Sequence, residues 1–129
     1  MEASRFWIAV AALSGAVSVV VGAFAAHGLP ATDAGNRARQ LLQTGSQYEI
    51  VHALVILATV ALAATGKLDG RMATVALWLF LVGSVVFPGS LYSLAFGGPR
   101  WMGAVAPIGG TAFILGWLSL VWAAIKAPG

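Results

Sequence analysis

A chain of 129 residues that is 60% hydrophobic and only 9% charged carries far more apolar side chain than a soluble core of that size can bury. Its formal charge of +3 is scattered over short connections and ends, which excludes the clustered basic patch that a nucleic-acid partner requires. The absence of cysteine excludes a disulfide framework and thiolate chemistry.

Crossing a bilayer takes roughly 20 helical residues with few charges, and four runs satisfy that demand. The first, Phe6 to Ala26, is uncharged. Arg5 before it and Ala23-Phe24-Ala25 near its end resemble a cleavable leader, but the run is expected to be retained as a span. Ser14, Ser18, Gly22 and Ala26 form a stripe of small residues at four-residue spacing, suited to close helix packing in lipid.

Gly28 and Pro30 end that helix, and Thr32 or Asp33 is placed to cap the next. From Asn36 to Gln47 apolar residues are few, chiefly Leu41 and Leu42, which predicts a short interfacial helix leading into the second span; a solvated extension of that span is the alternative. The second run is Ile50 to Thr65, followed by a tight turn at Gly66 to Gly70. The third, Met72 to Phe96, contains Pro88 and Gly89; after a turn at Gly97 to Arg100, the fourth, Trp101 to Ile125, contains Pro107, Gly109 and Gly110. These breakers are expected to kink their helices, with Ser90 or Ser93 satisfying the backbone. Small pairs Gly89/Ser93 and Ala112/Gly116 extend the packing pattern, Trp7, Trp101 and Trp122 sit where indole rings settle at headgroup level, and Trp117 is deeper, as a filler of the bundle.

The fold predicted is therefore all-α and integral to the membrane: one domain over 1–129, an antiparallel four-helix transmembrane bundle with a short interfacial helix between helices 1 and 2. The balance of Lys and Arg slightly favours both termini in the cytoplasm, with the chain in the cell inner membrane.

Antiparallel threading gathers the polar residues toward one membrane side: His27, Gly28, Tyr48, Glu49, His52, Ser90, Tyr92 and, at the edge, Arg100. Polar groups at membrane depth usually face a partner or a cavity. Tyr48 and His52 share a helix face, and Glu49 and His52, three apart, are able to meet and share a proton. The bland reading is a satisfied interhelical histidine, with Glu49 reaching the headgroups. Glu49-Ile50-Val51-His52 also has the Glu-x-x-His form of di-iron bundles, but a second such unit is missing, and a mononuclear site on His27, His52 and Glu49 is a remote option. The reading adopted has no metal and no cofactor.

Taken in order, Gly22-Ala23-Phe24-Ala25-Ala26-His27-Gly28-Leu29, Tyr48 through Ala53, Phe87 through Tyr92, and Pro107-Ile108-Gly109-Gly110 with Gly116-Trp117 resemble the membrane family designated domain of unknown function 423. It includes small bacterial inner-membrane proteins and the eukaryotic transmembrane protein 256. The chain departs from its usual pattern at Ala25, Glu49, Pro88 and Ala106, where Gly, Gln, Ser and Thr are commoner. The resemblance implies a four-helix inner-membrane protein and no activity; His27, Tyr48, His52, Ser90 and Tyr92 carry over as motif residues of unassigned role.

The function expected is noncatalytic: the polar cluster, with Arg37, Arg39 and Arg100 around it, binds a membrane lipid or another membrane subunit, a second copy of the chain included. The alternatives are a small oligomeric transporter or channel, possible coupling to protons resting on Glu49 and His52, and, last, a metal- or haem-binding enzyme.

Overall fold

A computed structural model describes residues 2–128 as four long helices: α1 (Glu2–His27), α2 (Asp33–Ala64), α3 (Gly70–Ala95) and α4 (Met102–Ile125). All four are long and apolar enough to cross a membrane. They run antiparallel in sequence; α3 and α4 share the most extensive interface, α2 packs between α1 and α3, and α1 leans mainly on α2.

The helix ends are built from local chemistry. Thr32 Oγ1 accepts from Gly35 N at 3.0 Å and caps α2, and Asp69 accepts from Met72 N at 3.0 Å and caps α3. After α2 the chain turns at Gly66, φ 76°, where Gly66 N donates to Ala63 O and Lys67 N to Leu62 O. After α3 it repeats the device at Gly97, φ 85°, with Gly97 N donating to Leu94 O and Gly98 N to Ser93 O. These paired bonds are Schellman caps, which favour glycine because its backbone enters the left-handed region without strain.

The interfacial helix expected between the first two spans does not form. Residues 33–64 are one helix of 32 residues, about 48 Å long at 1.5 Å per residue, against a hydrocarbon core of roughly 30 Å. Nothing between Asn36 and Gln47 breaks it; the polar composition there marks the same helix leaving the lipid. Arg39 fixes the start of this extension: its Nε donates to Ala25 O at 3.0 Å, Nη2 to Leu29 O at 3.2 Å and Nη1 to Asn36 Oδ1 at 2.6 Å. A guanidinium thus closes the open carbonyls at the end of α1, where positive charge also complements the helix dipole. Arg39 is a cap, with its guanidinium committed to these three acceptors.

The core between helices comprises Trp7, Ala11, Ile56, Ala76, Leu77, Phe80 and Phe113. Trp7, near the start of α1, is buried between helices and lies edge-on to Trp78 at 5.0 Å. The small stripe of α1 runs through Ala11, Ser18 and Ala25, all buried, while Ala26 is exposed. Where helices approach most closely the sequence has glycine: a Cβ on Gly83 would meet the Phe113 ring at 2.4 Å, on Gly116 the Phe80 ring at 2.6 Å, and on Gly109 the backbone N of Phe87 at 2.4 Å. Gly89, in contrast, faces open space. Helices α3 and α4 continue through Pro88 and Pro107.

Candidate functional site

Glu49 and His52 lie near the middle of the bundle, not at one interface. Glu49 accepts from Ser14, the thirteenth of 26 residues in α1, and His52 stacks on Phe113, the twelfth of 24 in α4, with ring centroids 3.6 Å apart. The sequence misplaces them because half of α2 precedes its apolar run. The two side chains then diverge around the helix, and no Glu49–His52 bond forms.

Glu49, 6% exposed, points into the angle between α1 and α3. Its Oε2 accepts from Ser14 Oγ at 2.9 Å and its Oε1 from Tyr92 OH at 2.7 Å. Tyr92 reaches it because Gly45, one turn earlier on the same face of α2, has no side chain: a Cβ there would sit 2.6 Å from the tyrosine ring. Gly45 and Ser14 are site residues that sequence reasoning missed; the i, i+4 spacing of Gly45 and Glu49 was the available signal. Among the described residues no Lys, Arg or His lies within ion-pair distance of Glu49, so both of its partners are neutral hydroxyls.

His52 faces the opposite side, toward α4. Its Nδ1 lies 2.7 Å from Tyr48 O, and Trp117 Nε1 donates to Nε2 at 3.1 Å. An indole N–H only donates and a carbonyl only accepts, so the imidazole carries its proton on Nδ1 and both nitrogens are committed. Trp117 is thus a hydrogen-bond donor and, at 45% exposed, lies at the surface of the bundle and does not fill its interior. A 15N spectrum of the imidazole should show the single Nδ1-protonated tautomer, and Trp117→Phe should cost about 1 kcal/mol in thermal unfolding for the lost bond. A dominant Nε2-protonated tautomer would contradict the geometry. Tyr48, half-exposed, lies edge-on to Phe87 at 4.9 Å and parallel to the imidazole.

The other residues expected at the site stay outside it. His27 is exposed at the end of α1, thirteen residues beyond Ser14 and so about 20 Å along the helix. Arg100 is exposed in the turn between α3 and α4. Among the described residues no three His, Asp or Glu side chains are placed to hold a metal, and the set His27, His52, Glu49 does not assemble.

Buried hydroxyls elsewhere are satisfied within their own helices. Ser18, Ser46, Thr59, Ser90 and Ser119 each donate to a carbonyl three or four residues earlier. Ser84 breaks the pattern. Its Oγ is buried, with the residue 8% exposed, and has no hydrogen-bond partner. Its carbonyl also lacks the usual helical donor, because the residue four positions on is Pro88, which has no N–H. Ser84 lies beside Ser14 and Glu49 on the floor of a crevice of about 270 Å³ between α1 and α3. The walls are apolar, Val10, Leu13 and Val17 on one side and Leu81 and Val85 on the other, and the mouth is open, with Leu13 68% and Val85 64% exposed on the surface that meets lipid.

The profile of the family described as "Protein of unknown function (DUF423)" matches residues 21–110. A UPF0382 membrane protein of Haemophilus influenzae is 39% identical over 121 residues, 94% of each chain. The UPF0382 membrane protein YwdK of Bacillus subtilis is 39% identical over 95% of this chain and 98% of its own, and the UPF0382 inner membrane protein YgdD of Escherichia coli K12 is 38% identical over 95% and 92%. No solved structure matches the chain. Four apolar helices of spanning length, a family match over most of the sequence and relatives that align almost end to end place the chain in the DUF423 family of membrane proteins.

Proposed function

We propose that the chain is a noncatalytic inner-membrane protein that binds a lipid-dissolved amphiphile in the crevice between α1 and α3. The observation that carries this reading is Ser84: a buried hydroxyl without a partner, at the polar floor of an apolar crevice that opens to lipid. An unsatisfied buried hydroxyl costs on the order of 1–3 kcal/mol, and an occupant with an apolar body and one polar group recovers that cost while its body replaces lipid against the walls. The commitment of both His52 nitrogens supports a noncatalytic role, since no other imidazole lies in the bundle interior among the described residues.

Native mass spectrometry of protein released gently from membrane tests the reading. The wild type should carry a bound amphiphile, and Val85→Trp, which fills the mouth of the crevice from a lipid-facing position, should not. A wild type that flies bare would end the proposal. Ser84→Ala should have two opposed effects. In delipidated protein it should raise stability by about 1 kcal/mol by deleting an unpaired polar group, and in membrane-extracted protein it should loosen the bound species. A destabilised Ser84→Ala would mean that the hydroxyl is satisfied within the protein.

A further inference from the structure

We infer that the ligand of the α1–α3 crevice is a lipophilic cation, an apolar molecule carrying one positive charge such as a quaternary onium or protonated amine. This rests on the crevice reading above and specifies the chemistry of its occupant. The argument is one of inventory. The floor of the crevice offers acceptor oxygens on two side chains: the Glu49 carboxylate and the Ser84 hydroxyl, which has no partner in the protein. The donors that the protein itself supplies to Glu49 are two neutral hydroxyls, Ser14 and Tyr92, and they orient the carboxylate without balancing its charge. A buried carboxylate without a cation is costly in a low-dielectric interior, and among the described residues none of the basic side chains reaches it. The nearest imidazole, His52, faces α4 and accepts from Trp117, so it holds no charge to lend.

The walls decide which cation fits. A small hydrated metal ion needs several oxygen ligands and an aqueous approach, whereas this crevice is reached through Leu13, Val17 and Val85 from the hydrocarbon side. A cation whose charge is spread or shielded by apolar groups partitions into that region, packs its groups on the valine and leucine walls, and meets the carboxylate at the floor. A neutral alcohol would satisfy Ser84 and leave Glu49 uncompensated. An anion would meet the carboxylate and is excluded.

The test uses full-length protein in lipid nanodiscs and three probes: tetraphenylphosphonium, tetraphenylborate, which has the same shape and the opposite charge, and the neutral hexadecanol. Binding is measured above that of empty nanodiscs. Tetraphenylphosphonium should bind saturably and tetraphenylborate should not. Glu49→Gln should weaken the phosphonium by roughly thirty-fold or more, as for loss of one member of a buried charge pair. Val85→Trp leaves Glu49 intact and should also abolish binding, so the result does not depend on Glu49→Gln folding normally. Saturable hexadecanol binding that Val85→Trp abolishes, with phosphonium binding absent or unchanged by Glu49→Gln, would overturn the cation and leave the crevice reading standing. If none of the three probes binds saturably to the wild type, both fall.

Discussion

Gly109→Ala is expected to destabilise the bundle by about 1–3 kcal/mol, toward the upper end, whereas Gly110→Ala next to it should be neutral or slightly stabilising. The two glycines look alike in sequence but meet different surroundings. A Cβ on Gly109 falls 2.4 Å from the backbone N and 2.7 Å from the Cα of Phe87, roughly an ångström short of ordinary contact. A rotamer change cannot relieve that overlap; α3 and α4 must separate along their most extensive interface. Alanine gains about 1 kcal/mol in helix propensity, which is too little to offset it. At Gly110 the nearest atom, on the Phe87 ring, is 3.9 Å away, so the propensity gain stands alone. Thermal unfolding of the two variants in the same detergent separates these outcomes, and equal effects would show that α3 and α4 do not cross at Gly109. In lipid, where apolar surface gains little from helix association, such close backbone approach is a principal source of packing energy.

The second large effect is at Glu49. Glu49→Ala should cost about 3–5 kcal/mol, combining a small cavity with hydroxyls left unpaired. Ser14 can turn back to a carbonyl of its own helix, as Ser18 does, but Tyr92 is held flat on Gly45 and has no such alternative. Tyr92 should therefore account for most of the loss. Glu49→Gln, whose amide both accepts from and donates to hydroxyls, should retain most of the stability. Unfolding measurements should find Glu49→Ala the most destabilised, Tyr92→Phe next and Glu49→Gln nearest to the wild type. Near-equal stability of Ala and Gln would mean that the carboxylate is not structurally engaged. The contrast also matters for ligand binding, because Gln is then a stable chain without the charge.

Features written in adjacent residues were legible before the fold was known. The four spans, the Thr32 cap and the turns at Gly66 and Gly97 depend on hydropathy, a side-chain oxygen or a glycine within a few positions. The bonds that define the site were not. Tyr92 reaches Glu49 across 43 positions and Trp117 reaches His52 across 65, and those pairings depend on how each helix is rotated about its axis. Hydropathy is nearly uniform around these helices, so it does not report rotation. The same blindness left a Glu49–His52 contact open beside the reading of His52 as an interhelical contact, whereas the structure turns one toward α1 and α3 and the other toward α4. Depth was misjudged for a different reason. Polar residues from Asn36 to Gln47 were read as a change of structure, but only the solvent around a continuous helix changes. Ser84 was legible as a residue type and illegible as an orphan, since the lack of a partner for its hydroxyl depends on which way the side chain turns and on the gap that α1 leaves beside α3.

Arg39 bears on how the protein is made. Its bonds to Ala25 and Leu29 span only 14 and 10 positions, so every group they need has been synthesised before α3 and α4 exist. The first hairpin can therefore lock its two strands of helix at one relative height while the ribosome is still translating the rest. The remaining pair then has a fixed ruler to align against, and the levels of Ser14, Glu49 and Tyr92 are decided during insertion instead of being sorted out among four finished helices.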